Sequence, residues 1–315
     1  MFPTRSLFTA TLLTLSLLPV TAAHAWGREG HRLTGLIAYE LMNAQSRAAV
    51  RDLLGNDDLA SAATWADDQR KALDNRYPRS AEWHYDDLPL CGTADAARFC
   101  PEGHCASQRI EAFSKLIQDP AVDKEKKADA LRFIIHMVGD LQQPLHAADN
   151  DDRGGNDAMV TLPGVERPAK LHYAWDTLFV RHNLRGQSEP AFAAELLNQH
   201  KERIGEFQQG QVAQWIAQSH QLARATVYGG LLNGEVKDTK DIKDIKDIKD
   251  IKDIKDIKDI REANPFCQLK TKDREFVLDA AYVERANALV RVQLVKGGAR
   301  IARTLNELFA AQKKS

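Results

Sequence analysis

Most of the chain follows the 3.6-residue period of amphipathic helices. Leu33, Leu36, Ile37 and Leu41 fall on one helical face, as do Ile110, Phe113, Leu116 and Ile117, and again Leu131, Ile134, Ile135 and Val138. Further helical patterns run through Ala191–Leu197, Val212–Val227 and the long stretch Glu275–Ala311. One region reads as a strand, Ala158–Leu162, followed by a Pro163-Gly164 turn, with Arg167–Lys170 as its candidate partner. The expected fold is therefore all-α, a single helical domain with a small β-hairpin.

The first 25 residues stand apart. Arg5 is their only charge, an apolar run spans Leu7 to Val20, and Ala23-His24-Ala25 follows. A basic start, a short apolar core and an A-x-A exit describe a cleavable secretory signal. The run falls short of the ~20 residues of a membrane span. Cleavage after Ala25 gives a mature chain that begins at Trp26 and has 290 residues, exported to the periplasm or the medium.

Residues 237–260 break the helical pattern in another way, repeating Lys-Asp-Ile with a single Thr239 variant. Three residues turn a helix by about 300°, so the isoleucines drift around the axis and form no stripe. The repeat reads as a solvated insertion, and its charges cancel. Charge elsewhere changes the picture little. Without Arg5 there are 42 basic and 44 acidic residues, a formal charge of −2. Such a chain has no overall attraction for polynucleotide, and a nucleic-acid substrate would need bound metal to supply local positive charge. The four cysteines suggest two disulfides in an exported protein. Cys100 and Cys105 can close a small loop, leaving Cys91 to pair with Cys267, and no C-x-x-C spacing supports a cysteine metal site.

The candidate chemistry lies in histidines and aspartates. His136 and Asp140 are four residues apart, as are His172 and Asp176. On a helix each spacing stacks an imidazole and a carboxylate on one face, a chelating arrangement that zinc accepts. One such pair alone is more often a satisfied core histidine. His146 follows the helix-breaking Pro144, and His31, Asp67 and His84 add three more donors, the last two beside Trp65 and Trp83. His104, His182, His200 and His220 fall outside these groupings and read as structural or surface residues.

Together these positions resemble the zinc-dependent, single-strand-preferring nuclease and 3′-nucleotidase family, the type I nucleases. The matching elements are Trp26-Gly-x-x-Gly-His31, Trp65-Ala-Asp67, Trp83-His84-Tyr85, His136-x-x-Gly-Asp140, Gln143-Pro-Leu-His146, Gly154-Gly155-Asn156 and Leu171-His172-x-x-Trp175-Asp176. The resemblance implies three Zn2+ ions. One would be held by Asp67, His84, His136 and Asp140. A second would be held by His31, Asp140 and the α-amine and carbonyl of Trp26. The third would be held by His146, His172 and Asp176. The cysteine plan also resembles the family's two disulfides.

The implied activity is hydrolysis of single-stranded DNA and RNA to 5′-mononucleotides, with 3′-nucleotidase activity. Zinc lowers the pKa of bound water from 15.7 to about 7, so a hydroxide between two zincs would attack phosphorus. Asp67 and Arg70 are the catalytic candidates, with Arg70 set against the phosphate charge; a surface ion pair is its ordinary alternative. Asp87 and Asn156 would hydrogen-bond a base and Tyr85 would stack on it, although Tyr85 could equally be core packing and the register between Asp86 and Asp87 is open. The resemblance implies no protein partner and no membrane attachment after signal cleavage. A zinc-dependent phospholipase C, which shares the three-metal plan, is the alternative; a non-catalytic metal-storage or adhesion protein fits less well.

Overall fold

The computed structural model describes residues 26–91, 99–232 and 269–310. The expected signal segment, the Lys-Asp-Ile repeat and Cys267 lie outside the described residues.

Short polar side chains start several of the helices, although α1 has no such cap. α1 (Arg28–Leu41) begins after Gly27 and buries Gly30, His31, Leu33, Thr34, Gly35, Ile37 and Ala38. α2 (Ala44–Leu54) is capped by Asn43, whose side chain accepts from the Ser46 amide, and α3 (Leu59–Asp68) by Asp58, which accepts from Ser61. Each such cap satisfies an amide that the helix itself leaves unpaired. α3 ends at a kink at Gln69, and α4 (Arg70–Arg76) starts directly after it. α5 (Ala106–Gln118) leads to α6 (Lys124–Asp140), capped by Asp123.

α6 departs from the one-sided stripe its periodicity suggests. From Ala128 to Asp140 it is buried on nearly every face, packed between α3, α5 and the long C-terminal helix. Burying His136 and Asp140 in such a helix is costly unless their polar atoms are compensated.

α7 is one helical run over residues 171–184 with a π-helical turn at Ala174–Leu178. α8 (Glu189–His200) and α9 (Val212–Leu222) follow, and α9 continues into a second π-helical stretch at Ala223–Tyr228. α10 (Ala280–Ala310) packs along α1 and closes both hydrophobic clusters of the core. Gly35 lets α1 approach α3 closely, since a Cβ there would lie 2.6 Å from the Leu59 carbonyl oxygen.

The β structure corrects the sequence reading. β1 (Met159–Thr161) and β2 (Ala169–Lys170) form the expected antiparallel hairpin, with Met159 opposite Lys170. A third strand, β3 (Glu275–Val277), pairs in parallel with the other edge of β1, giving the order β2-β1-β3. That segment was expected to be helical. Asp279 accepts from the Tyr282 amide at 2.6 Å and starts α10 only after the strand. The pairing partner that fixes β3 is more than 100 residues distant, beyond the reach of local periodicity.

Cys100 and Cys105 form the expected small-loop disulfide. Cys91 is also disulfide-bonded. No helix among the described residues is long and apolar enough to cross a membrane.

Candidate metal centre and adjoining pocket

Eight of the nine proposed ligands contribute side chains, and six segments bring them together: α1 (His31), α3 (Asp67), the Ser80–His84 turn, α6 (His136, Asp140), the Pro144–His146 turn and α7 (His172, Asp176). Within each of three groups, candidate ligand atoms lie within 4.8 Å of one another: His31, Asp67 and His136; His84, His136 and Asp140; and His146, His172 and Asp176.

Asp140 is the hub. Its Oδ1 is 3.1 Å from His31 Nε2, and its Oδ2 is 3.1 Å from His136 Nε2 and 3.3 Å from His84 Nδ1. Asp67 stands farther from the same three nitrogens, with Oδ2 3.9 Å from both His31 and His136 Nε2 and Oδ1 3.8 Å from His84 Nδ1. In the third group His172 Nε2 is 3.1 Å and His146 Nε2 3.8 Å from Asp176. The Trp26 side chain is fully buried, and its indole donates to Gly139 O at 2.9 Å, beside Asp140.

Backbone carbonyls fix which nitrogen of three rings faces inward. His136 Nδ1 meets Ala63 O at 2.6 Å, His146 Nδ1 meets His84 O at 2.8 Å, and His172 Nδ1 meets Gly154 O at 2.6 Å. A carbonyl can only accept, so each Nδ1 carries the proton and each neutral ring turns an Nε2 lone pair inward. Two such lone pairs then confront one another at 3.2 Å between His146 and His172. Both oxygens of Asp140 and both ring nitrogens of His31 are buried without a hydrogen-bond partner. Buried lone pairs and carboxylates aimed at common points are what divalent cations compensate, and N/O donors of this kind suit zinc. The three groups could hold metal.

Without metal, the carboxylates of the cluster draw protons onto some of these rings, so protons and metal compete for the same inward-facing nitrogens. Burial alone would raise the Asp140 carboxyl, but the His136 and His31 rings hold it well below the usual carboxylate range. Burial opposes charging of His136 and His172, yet Asp140 and Asp67 lift the first to about 9, and Asp176 lifts the second to about 9. Burial pushes His146 down to about 4 and also lowers His31, with the His136 charge adding to the latter effect. Burial raises Asp176 to about 6 against the pull of His172.

A cavity of about 190 Å³ opens beside His84, His146 and His172, and it brings together Arg70, Tyr85, Asp87 and Asn156. The structure separates the two neighbouring aspartates. Asp86 accepts from the Ser107 amide at 2.9 Å and from its hydroxyl at 2.5 Å, and so belongs to the start of α5. Asp87 faces the cavity, where burial and the Asp149 charge push it up to about 8. Burial and Asp87 likewise raise the Tyr85 hydroxyl to about 12. Arg70 reaches the cavity from the first turn of α4, beyond the kink, rather than from a continuous turn of α3.

The S1/P1 Nuclease family profile matches residues 26–310. The chain belongs to the S1/P1 nuclease family. Over 173 residues it is 30% identical to Nuclease P1 of Penicillium citrinum, covering 52% of this chain and 61% of that protein. Nuclease S1 of Aspergillus oryzae is 30% identical over 176 residues, covering 51% of this chain and 59% of the relative. Endonuclease 2 of Arabidopsis thaliana is 30% identical over 167 residues, covering 49% and 56%. These alignments thus span about three-fifths of the length of the relatives.

In this S1/P1 nuclease family member several supporting residues escaped the sequence reading. Gln143 donates to Asp176 Oδ1 at 2.5 Å, orienting a carboxylate 33 positions away. Asp152, fully buried, accepts from Gly155 N at 2.7 Å, from Tyr228 Oη at 2.8 Å and from Thr271 Oγ1 at 2.5 Å. It anchors the turn that presents Asn156 and the Gly154 carbonyl. Gly154 itself has φ +60°, and a Cβ there would sit 2.8 Å from Leu145 O. The π-helical turn of α7 carries Asp176; such turns often occur at functional sites. Gln143 and Gly154 lay inside quoted motifs, but nothing local revealed their contacts. Two of the unassigned histidines are structural. His104 accepts from Trp83 Nε1 at 3.0 Å, and His220 meets Pro89 O at 2.9 Å.

Proposed function

We propose that this protein is an exported zinc-dependent nuclease, a single catalytic domain from Trp26 to Ser315, that hydrolyses single-stranded DNA and RNA to 5′-mononucleotides and removes phosphate from 3′-nucleotides. The observation that carries the proposal is the convergence of five imidazoles and three carboxylates, three of the rings held by carbonyls with Nε2 turned inward, beside a cavity lined by Arg70, Tyr85, Asp87 and Asn156. Family membership supports it.

Asp67, His84, His136 and Asp140 would hold one zinc. His31 and Asp140 with the amine and carbonyl of Trp26 would hold a second, and His146, His172 and Asp176 a third. Bound zinc supplies a nucleophilic water at neutral pH and neutralises phosphate charge. The chain's own groups do the positioning. Ala63 O, His84 O and Gly154 O fix the imidazole tautomers, and Gln143 orients Asp176. Arg70 offsets charge on the phosphate as it develops. Asp87 and Asn156 hydrogen-bond the base of the nucleoside whose 3′-oxygen leaves, and Tyr85 offers it a face. Base pairing hides such faces in a duplex, so the cavity favours single strands.

The test uses purified protein with Trp26 as its first residue. Single-stranded DNA, RNA, duplex DNA and phosphatidylcholine are offered with and without a zinc chelator. Chelator-sensitive release of 5′-mononucleotides, without lipid hydrolysis, is the expected result. Lipid hydrolysis without nuclease activity would favour a phospholipase C instead.

A further inference from the structure

A second, larger cavity of about 350 Å³ lies against other members of the same cluster, His31, Asp67 and Asp176, and shares only Asn156 and His172 with the first. The smaller cavity has room for one base. The larger exceeds the roughly 300 Å³ from which small-molecule pockets begin. Its far wall is built from Arg28, Lys170, Tyr173 and Arg181.

The chemistry of that wall suits a nucleotide. Tyr173 follows His172 on α7 and keeps 41% of its surface exposed. Arg181 lies against the Tyr173 hydroxyl and is itself held by Glu29 at 2.8 Å. Arg28 is tied to both oxygens of Asp68, at 2.6 and 2.7 Å. These two arginines are neutralised by their carboxylates. Lys170 forms no ion pair among the described residues, and its backbone is fixed by pairing with Met159 in the sheet. The wall thus offers an exposed aromatic face and one uncompensated cation three residues from it.

We propose that this cavity binds the nucleotide downstream of the scissile phosphate, the one that keeps the 5′-phosphate, with its base on Tyr173 and its next phosphate on Lys170. The inference rests on the nuclease reading. A substrate phosphate at the cluster joins two nucleosides, and the base pocket of Tyr85, Asp87 and Asn156 accommodates the upstream one. The downstream one must leave along another surface of the cluster, and the larger cavity adjoins it there. A single nucleotide uses one cavity; a polynucleotide uses both.

The experiment compares three substrates at fixed salt: a dinucleotide, the same dinucleotide lacking its downstream base, and a trinucleotide with one further downstream phosphate. Wild-type protein should prefer the base-bearing dinucleotide by about tenfold in kcat/KM, as stacking on an aromatic ring allows. Tyr173→Ala should remove that preference and Tyr173→Phe retain it. Lys170→Ala should lose the advantage of the trinucleotide, and Lys170→Arg restore it. In binding measurements with a phosphorothioate trinucleotide, Lys170→Ala should flatten the logarithmic salt dependence by about 0.7, the loss of one phosphate contact on a single strand. Active wild-type protein indifferent to the downstream base, or Tyr173→Ala with the preference intact, overturns the subsite alone. Wild-type protein inactive on all three substrates overturns the nuclease reading with it.

Discussion

The Nε2 atoms of His146 and His172 stand 3.2 Å apart, while each ring gives its Nδ1 proton to a backbone carbonyl. Two lone pairs held that close repel unless a proton on one ring or a metal ion between them relieves the clash, and only a metal ion engages both nitrogens as ligands. Replacing His172 with Ala should therefore remove one metal equivalent and reduce nuclease activity by at least a hundredfold. Elemental analysis beside activity checks this; unchanged metal content would show that the pair is purely structural.

Gln143 tests the layer behind the ligands. Its amide donates to Asp176 Oδ1, leaving Oδ2 toward His172. Gln143→Leu keeps the volume and removes the donor. Outer-shell changes of this kind typically weaken metal affinity by about 10–100-fold. Titration with a competing chelator should show that loss at one site, with the secondary structure unchanged.

Asp152 joins the Gly154-Gly155-Asn156 turn to Tyr228 and Thr271. Asp152→Ala would leave two buried hydroxyls and an amide without their acceptor. Hydrogen bonds to a charged group contribute about 1.5–3 kcal/mol each, and networks lose less than the sum. A destabilisation of about 2–4 kcal/mol in urea unfolding is expected, with weaker nucleotide binding through the loosened Asn156.

Trp26 is buried with its indole on Gly139. An additional residue before Trp26 would turn its α-amine into an amide, which binds metal poorly. Protein that begins one residue early should lose the metal assigned to His31 and Asp140 and most of its activity. Equal metal content in the two forms would remove Trp26 from the ligand set.

His220 should make stability sensitive to mild acid. Burial pushes its pKa down to about 4, and the neutral ring bonds Pro89 O. The unfolded chain takes up a proton near pH 6.5, which the folded protein does not accept until about pH 4. This residue therefore costs no stability above pH 6.5, a growing amount as the pH falls, and a constant amount below 4. The full effect is at most about 3 kcal/mol. His220→Gln, which keeps a donor for Pro89 O, should lose less stability than wild type between pH 7.5 and 4.5. Parallel losses in both proteins would refute the assignment.

The sequence by itself determined whatever depends on neighbours within a turn or two. Helical periodicity located several of the helices, among them those that carry His31 and His136. The i, i+4 spacing put His136 with Asp140 and His172 with Asp176, and those pairs are in contact at 3.1 Å. The small Cys100–Cys105 loop was legible for the same reason. Tertiary structure decided what depends on segments far apart in the chain. It turned Glu275–Val277 into a strand, because β1 offered an open edge. It chose between Asp86 and Asp87 by giving the first to Ser107 and the second to the cavity. It also selected the carbonyls of Ala63, His84 and Gly154 as the groups that orient the imidazoles. Periodicity records which face of a helix is apolar; it carries no information about which distant backbone atom that face will meet, and the orientation of the site is set by those meetings.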